Sequence, residues 1–464
     1  MENIKHSKKS MASYGFAKAL NEFFNAAFYG FSFFFYEVEI GLQIWLVALG
    51  YIIFAVWNAI NDPLLGYLTD RPFKFTKRWG RRFPWILIGG AFWVFSYILI
   101  FIPPSTDPNS TLGAWIIFAW LVFATCLYDT FASLFFVNFS ALFPDKFRSI
   151  EERRTVNGIA TPIGVLGITL GTIVPPLFIR FGEIQTFVIQ AGVMFIFGMI
   201  ILALCLPGCR DDQEIVDRYL ATYDAKKGGV SFFSSLRTAM KQKSFVYFII
   251  AYLFYQTCTT LMQTSVAYLT YFILRMEASA MILIMLAFLI GAVLSIPFWI
   301  KLAQKKNENR KVIIIAASLM VLAVAPLIFL ESYLGVIITL FIFGFVWGGF
   351  WVMLAPVLAD VIDESVVRTG KREEGVYNGF QQFFGRLSFA LAILSIATVQ
   401  ILTGFREGTG PEGQTPLAIW GIHLYIGLIP MLFILATAII LWKKYDITPE
   451  KVKANQEKIK EMGL

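Results

Sequence analysis

Residues 42–103 read LQIWLVALGYIIFAVWNAINDPLLGYLTDRPFKFTKRWGRRFPWILIGGAFWVFSYILIFIP, two apolar runs separated by a short basic segment. Each run is long enough to cross a bilayer as a helix, which takes about 20 apolar residues. Lipid offers no hydrogen-bonding partners to the backbone, so a helix that satisfies its own peptide groups is favoured. The stretch therefore predicts two membrane-spanning helices, at 42–68 and 83–103.

The same alternation continues along the whole chain of 464 residues, of which 57% are hydrophobic and 15% are charged. A soluble domain contains about 25% charged residues. The apolar runs predict twelve spans, at 14–36, 42–68, 83–103, 112–142, 155–179, 184–207, 244–274, 278–302, 311–331, 333–359, 376–403 and 418–442. The sequence thus predicts an all-α polytopic membrane protein.

The formal net charge of +8 is distributed in short clusters between the apolar runs, which argues against nucleic acid as a partner. Basic residues concentrate in alternate loops, within 71–82, 146–154 and 301–311. Loops rich in Lys and Arg stay in the cytoplasm. We therefore expect an integral protein of the cell membrane, with the lipid bilayer as partner and both termini cytoplasmic.

An internal echo divides the chain into two parts. ALFPDKFRSIEERRTVNG (141–158) follows the fourth span and VLADVIDESVVRTGKREEGVYNG (357–379) follows the tenth, and their Asn-Gly pairs lie 221 residues apart. The echo indicates duplication, because it occurs at equivalent loops, and a two-half plan is common among transporters. The predicted parts are a six-helix half at 1–207, a cytoplasmic middle loop at 208–243, a pseudo-symmetric six-helix half at 244–442 and a cytoplasmic tail at 443–464.

Four ionisable residues fall inside predicted spans, where a charge costs several kcal/mol and marks a functional candidate. They lie roughly 9–20 Å from the cytoplasmic ends of their helices, and they are Glu22, Asp62, Asp129 and Arg386. Three acids and one base leave surplus negative charge, which requires a bound cation or a proton. The alternative is a set of static salt bridges that only fix helix packing.

The second predicted span carries a candidate cation site. Asn58, Asn61 and Asp62 stand at i, i+3 and i+4 and so share one helix face. Pro63 frees a backbone carbonyl about one turn earlier. Oxygen ligands of this kind suit a hard cation, whereas a single carboxylate is sufficient for a proton. We expect H⁺ or Na⁺ as coupling ion, no metal beyond a monovalent cation at Asp62, and no cofactor.

A second set of charged residues predicts a cytoplasmic gate. The loop after the second span carries Asp70, Arg71, Arg81 and Arg82. Acidic partners for this loop are expected in the two echoed loops, at Glu151, Glu152, Glu373 and Glu374. The alternative is that the basic run is only a topology signal. His6 and His423 stand alone in the sequence and are assigned no chemistry.

Four stretches resemble one known family. NAINDPLLGYLTDRPFKFTKRWGRRFPWILIG (58–89) resembles the signature after the second helix of the glycoside–pentoside–hexuronide:cation symporters of the major facilitator superfamily. YGFAKALNEFF (14–24), the loop 141–158 and ADVIDESVVRTGKREEGVYNGFQQFFGR (359–386) are similar to further family stretches. The resemblance covers both halves. It implies the major facilitator fold and sugar import coupled to sodium, lithium or protons by alternating access.

The resemblance also implies a substrate-binding set. Glu22 matches the family's sugar-binding carboxylate, and Asn21 stands where a Lys is usual. Trp351 matches an aromatic residue at the sugar site, while Gln381 and Arg386 match a polar residue and a Lys of the eleventh helix. The predicted set is completed by the intramembrane Asp129 and by Gln382 on the same polar stripe.

The implied cation set consists of Asp62 and Asn61, with Ser133 as a hydroxyl ligand on the fourth helix. Asn58 belongs to the same set, but it stands where the family has a second carboxylate. That departure favours protons over sodium as the coupling ion.

Two further departures concern the substrate. Phe136 stands where the family has a sugar-binding Asp, and Thr161 stands where it has an Arg. A lysolipid or another amphipathic solute is therefore the alternative to a sugar. A non-transporting membrane receptor is a third hypothesis, and no nucleophile–base pair or phosphate loop suggests an enzyme. We expect a monomer that binds a small-molecule substrate.

Overall fold

The structure is a computed structural model that describes residues 6–71, 73–222, 239–306, 308–370 and 374–462. Within these ranges the chain forms helices joined by turns. Twelve long helices, numbered here as spans 1 to 12, are Lys8–Phe34, Ile44–Thr69, Phe83–Ile100, Thr111–Lys146, Ile150–Phe178, Ile184–Cys205, Lys243–Tyr268, Ala280–Lys306, Asn309–Val324, Tyr333–Thr369, Glu374–Thr403 and Pro416–Lys443.

Eleven of these helices are long and apolar enough to cross a membrane, counted over the described residues. Span 1 has sufficient length, 27 residues, but Asn21, Glu22 and Asn25 lower its mean hydropathy. It packs along spans 5 and 6, and residues such as Leu20 and Phe23 are fully buried. The predicted all-α polytopic architecture is confirmed.

Several helices continue beyond the predicted ends. The tenth span, predicted at 333–359, is the 37-residue helix Tyr333–Thr369, roughly 55 Å long. The hydrocarbon core of a bilayer is about 30 Å thick, so hydropathy detects only the part of such a helix that lies within the membrane. The middle loop and the tail also contain helices, Gln213–Thr222 and Pro449–Glu461, which the apolar pattern did not predict.

Serine side chains cap the starts of four spans, with Ser7 on span 1 as the first of them. Ser110 Oγ accepts a hydrogen bond from Gly113 N at 3.1 Å, and Ser149 Oγ accepts one from Glu152 N at 3.1 Å. Ser332 caps span 10 in the same way. Each hydroxyl satisfies one of the backbone donors that a helix leaves unpaired at its N-terminus. These caps set the helix starts at loop residues that hydropathy does not register.

The helices form two compact units. Unit 1 is built from the described residues of Met1–Gly228 together with Glu277–Ser279 and Arg406–Gly413, and unit 2 from the remainder. In unit 1, span 1 packs on spans 5 and 6, and span 4 packs on spans 2 and 3. In unit 2, span 10 packs on spans 8 and 9, and span 7 packs on spans 11 and 12.

Spans 1 and 7 end with the same backbone feature. A π-helical turn follows each of them, at Phe35–Glu39 and at Leu269–Ile273. Both are closed by a 2.9 Å hydrogen bond across five residues, from Ile40 N to Phe35 O and from Leu274 N to Leu269 O. Such turns are rare and often occur at functional sites. Their equivalent positions add a structural parallel to the echo in the sequence.

Glycines on span 5 allow the backbone of span 1 to approach closely. A Cβ atom at Gly171 would lie 2.2 Å from Phe23 O, and one at Gly167 would lie 2.3 Å from Ala19 O. Small residues allow this kind of backbone contact between membrane helices. Asn21 and Glu22 lie between the two contact points on span 1. The glycines therefore determine where these predicted substrate residues stand.

Candidate functional site

The carboxylate of Asp129 connects span 4 to span 2. Asp129 is only 4% exposed. Its Oδ2 accepts a 2.6 Å hydrogen bond from Asn61 Nδ2, and its Oδ1 accepts one from Asn58 Nδ2. A carboxylate that accepts on both oxygens matches the ionised form. The structure thus places Asp129, predicted to bind substrate, among the predicted cation residues.

The two amide groups leave their oxygen atoms directed away from Asp129. Asn61 is 1% exposed, and its Oδ1 is buried without a hydrogen-bond partner in the described part of the chain. Leaving a buried acceptor unsatisfied costs about 1–3 kcal/mol. Asp62 follows directly in the chain and is half-buried, and Ser133 is buried one turn beyond Asp129. The buried Asn61 Oδ1 can therefore coordinate a cation or accept a hydrogen bond from a protonated group.

A second contact between the same spans fixes their register. Trp57 Nε1 donates to Thr130 Oγ1 at 2.9 Å, and Thr130 Oγ1 donates to Cys126 O at 2.7 Å. Trp57 and Thr130 are the chain neighbours of Asn58 and Asp129. Sequence reasoning did not assign them a role. The only indication in the sequence was their position next to Asn58 and Asp129.

The predicted substrate residues are divided between the two units. Asn21 and Glu22 are half-buried on span 1 of unit 1. In unit 2, Gln381 and Arg386 are half-buried on span 11, whereas Gln382 is exposed. Their role in substrate binding stays a prediction.

Aromatic rings in unit 2 form a ladder that ends at Trp351. Its ring stacks on Trp347 with centroids 5.7 Å apart and an interplanar angle of 13°. Trp347 stacks in turn on Tyr255 at 6.3 Å, and its Nε1 donates to Thr259 Oγ1 at 3.1 Å. Trp351 is 44% exposed. The ladder holds one face of Trp351 and leaves part of the ring available for stacking.

Two positions where the family carries charge are different here. Phe136 is half-buried and lies 6.3 Å from the ring of Phe139, centroid to centroid. Thr161 is exposed on span 5. Neither side chain can hold the charge of the family residue that it replaces.

The charged loop after span 2 forms ion pairs within itself. Asp70 Oδ1 contacts Arg81 Nη2 at 2.7 Å and Arg82 Nη2 at 2.6 Å. Arg82 is buried and also donates to Asn138 Oδ1 on span 4 at 3.2 Å. Arg71 lies over the ring of Tyr67, 4.5 Å from its centroid. These contacts anchor the loop to unit 1.

The expected partnership between this loop and Glu152 is not the arrangement observed. Glu152 is buried and accepts from His6 instead, at 2.7 Å from His6 Nδ1. Glu151 and Glu374 are exposed, and Glu373 lies outside the described residues. His6, to which the sequence assigned no role, therefore binds Glu152, the carboxylate that was expected to pair with an arginine. His423 is buried, and its Nδ1 lies 3.1 Å from Leu327 O.

Asp211 was missed by sequence reasoning and caps the start of span 3. Its Oδ2 accepts hydrogen bonds from Arg82 N and Phe83 N, both at 2.9 Å. Gly80 has a φ of 93°, and a Cβ atom there would lie 2.3 Å from the same oxygen. Only glycine meets both conditions without strain. The segment after span 6 is thereby connected to the loop before span 3.

The stability of unit 1 is expected to depend on the protonation of Asp211. Burial raises the pKa of this carboxyl group above its usual value and outweighs the two backbone N–H groups, which lower it. A carboxyl group whose pKa is raised in the folded state stabilises that state most at pH values below its unfolded-state pKa of about 3.9. This stabilisation is lost as pH rises through the folded-state pKa. Asp211→Asn keeps an acceptor without the charge. As pH rises above about 4, its melting temperature should fall less than that of the wild type.

Thermal unfolding of the purified protein from pH 4 to pH 8 measures this difference. Asp107→Asn is the matched control, because Asp107 is exposed and also accepts a backbone hydrogen bond, from Asn109 N. Its melting curve should run parallel to that of the wild type. A parallel curve for Asp211→Asn as well would exclude Asp211 as a source of the pH dependence.

Comparison with known proteins identifies related transporters. The model of the family described as MFS/sugar transport protein matches residues 13–449. The sodium-dependent lysophosphatidylcholine symporter 1 of Gallus gallus is 22% identical, over 88% of this chain and 80% of its own length. The isoprimeverose transporter of Lactiplantibacillus pentosus is 23% identical, over 91% of this chain and 86% of its own.

Solved structures share the fold. A D-xylose-proton symporter superimposes with a TM-score of 0.61 at 13% identity, over 94% of this chain and 97% of its own. The xylose transporter XylE of E. coli superimposes with a TM-score of 0.63 at 12% identity, over 96% of this chain and 99% of its own. At such identities the likeness shows the fold alone, and it confirms the predicted major facilitator architecture.

Proposed function

The chain belongs to the MFS/sugar transport protein family, and from this premise we propose that it is a symporter that couples uptake of a sugar or glycoside to Na⁺. It is a membrane transporter and not an enzyme. The main support for ion coupling is the buried Asn61 Oδ1, whose amide nitrogen binds the carboxylate of Asp129. Transport by alternating access of the two six-helix halves is part of the proposal.

Sodium is proposed because of the donor set between spans 2 and 4. The sequence favoured protons, since Asn58 replaces a family carboxylate. Asp129 supplies a carboxylate next to position 58, because it contacts both Asn58 and Asn61. Asp62, the residue after Asn61, is the second carboxylate of the proposed site, and hard cations prefer oxygen ligands. The name of the Gallus gallus relative, a sodium-dependent symporter, supports the same choice.

A sugar is the proposed substrate because polar and aromatic groups are both available. Trp351 presents part of a ring whose opposite side is held by Trp347. Glu22 and Arg386 are charged side chains that can bond to hydroxyl groups. The isoprimeverose transporter, similar over 91% of this chain, supports this substrate class.

A lysolipid is the second candidate, and two observations favour it. Phe136 and Thr161 replace the charged residues that the family uses for sugar. Several relatives, including those of Gallus gallus and Xenopus tropicalis, are named lysophosphatidylcholine symporters. An apolar side chain at position 136 suits an acyl chain better than a hydroxyl-rich ring.

The remaining expectations complete the proposal. We place the protein in the plasma membrane as a monomer, with both termini in the cytoplasm. The Asp70–Arg81–Arg82 cluster lies on that side and would take part in closing it.

Uptake into proteoliposomes under imposed ion gradients tests the proposal. We expect an inward Na⁺ gradient to raise uptake of one sugar from a labelled panel by at least about 10-fold, equivalent to 1.4 kcal/mol. Asp62→Asn should abolish the stimulation, whereas Glu183→Gln, at an exposed loop carboxylate, should not.

Other outcomes assign the protein differently. Stimulation by a pH gradient alone would replace Na⁺ with H⁺. Uptake of labelled lysophosphatidylcholine but no sugar would select the second candidate. Uptake that ignores both gradients would overturn ion coupling, and the absence of any transport would favour the receptor hypothesis.

A further inference from the structure

The ring of His6 lies between two carboxylates in unit 1. His6 Nδ1 is 2.7 Å from Glu152 Oε1, and His6 Nε2 is 2.9 Å from Asp212 Oδ2. The backbone N of His6 also donates to Glu152 Oε1, at 2.9 Å. The His6 and Glu152 side chains are 10% and 4% exposed. All three groups come from different elements: the segment before span 1, the first turn of span 5 and the segment after span 6.

Two ionised carboxylates, one at each ring nitrogen, require a charged imidazole. An ionised carboxylate only accepts hydrogen bonds, and a neutral imidazole has one N–H group and one lone pair. Only the imidazolium form donates to both Glu152 and Asp212. Loss of the proton would leave a lone pair facing a carboxylate, and one of the two contacts would be lost.

The local structure explains why Glu152 is available to His6. Ser149 and Glu152 have the spacing of a capping box, in which the Glu side chain usually bonds back to the N-cap backbone N–H. Here Ser149 Oγ accepts from Glu152 N as expected, but the Glu152 carboxylate accepts from His6. A side chain that normally closes its own helix start instead holds a segment 146 residues away in the chain.

Other charged groups surround the cluster and are already engaged. Lys146, at the end of span 4, donates to Gly208 O at 2.7 Å and to Arg210 O at 2.8 Å. Asp211 accepts from the backbone at the start of span 3. The ring of Phe147 packs edge-on against His6, with centroids 5.2 Å apart. The neighbours of Asp212 at Gly208, Arg210 and Asp211 are thus held by contacts of their own.

We propose that protonated His6 is a pH-sensitive clamp, which holds the N-terminal segment and the segment after span 6 to the start of span 5. The clamp loosens as His6 loses its proton, because one ring contact is lost while the backbone N–H of His6 still donates to Glu152. In general, histidine side chains change charge between about pH 5 and pH 8, and the experiment covers most of that range. The proposed orientation places it in the cytoplasm, and only that assignment of compartment rests on the proposed function.

Unit 2 contains a matched contact that does not titrate in this range. Lys451, on the tail helix Pro449–Glu461, contacts Glu364 Oε1 at 2.5 Å. Gln242 Nε2 donates to the other oxygen of Glu364 at 2.9 Å. A terminal segment is therefore joined to a carboxylate in each unit, by an imidazole in one and by an ammonium group in the other. A Lys side chain keeps its charge up to about pH 10.

Thermal unfolding of the purified full-length protein tests the clamp without any transport assay. Between pH 5.5 and pH 8.5 the wild type should show a downward step in melting temperature of about 2–4 °C. With Asp211→Asn present in both chains to remove the Asp211 contribution, His6→Gln should lack the step and melt, across the range, near the value that its His6 parent has at pH 8.5. Lys451→Gln should melt lower at every pH and keep the step. A step retained in His6→Gln would overturn the proposal, as would a wild type without one.

The native Cys209 supplies a second measurement. Cys209 is fully buried within the segment 208–212, and Cys258 is fully buried in unit 2. At pH 6, maleimide should modify Cys209 several-fold faster in His6→Gln than in the wild type, and at pH 8.5 the two should be equal. Cys258, mapped in the same peptide digests, should show no difference.

Should His6→Gln fail to fold, Asp212→Asn is the substitute. It removes one charge from the cluster and keeps the Glu152 contact, and it should reduce the step and speed the labelling. Equal Cys209 labelling in variant and wild type at pH 6 would exclude the clamp.

Discussion

Asp129→Asn is expected to lower cation-driven uptake by about 100-fold or more. The substitution preserves size but removes the charge that Asn58 and Asn61 bind. It also places an amide N–H₂ or a single oxygen before the buried donor of Asn61 and the partly buried donor of Asn58. Each unsatisfied buried donor costs about 1–3 kcal/mol, and about 1.4 kcal/mol corresponds to a factor of ten.

Initial uptake rates at several Na⁺ concentrations, divided by the amount of transporter in the membrane, measure this effect. Asp107→Asn, the same change at an exposed loop position, should behave as the wild type. If Asp129 only fixes helix packing, the variant should melt at a lower temperature but keep the wild-type dependence on Na⁺. That result would contradict a role for Asp129 in cation binding and favour the static arrangement.

Gly171→Ala is expected to have the largest effect on stability. The added methyl group would lie 2.2 Å from Phe23 O, a backbone atom that cannot move without displacing span 1. Overpacking of this kind costs about 3 kcal/mol, which lowers the melting temperature of a unit of this size by roughly 6–12 °C. Uptake should fall as well, because Asn21 and Glu22 stand on the displaced helix.

Gly192→Ala is the matched control on span 6. A Cβ atom at Gly192 has nothing within 4 Å, and alanine is the better helix former. Its melting temperature should equal or slightly exceed that of the wild type. An equal loss of stability in both variants would mean that close contact between spans 1 and 5 is not the cause.

The features that the sequence could predict are local. The number of apolar runs predicted the spans, and the i, i+3, i+4 spacing alone placed Asn58, Asn61 and Asp62 on one helix face. Hydropathy and helical periodicity depend on neighbours within a few turns. The family signature at 58–89 is likewise a continuous stretch, and comparison with known proteins confirmed the family that it indicated.

Only the tertiary structure decided which distant groups meet. Asp129 lies 68 residues from Asn61 in the chain, and His6 lies 206 residues from Asp212. Membrane helices are apolar on most of their surface, so composition does not specify which faces pack together. The partners of Asp129 and His6 follow instead from how glycines and side-chain shapes seat one helix against another. That is why the sequence identified the polar residues of this protein but assigned Asp129 and Glu152 to different neighbours.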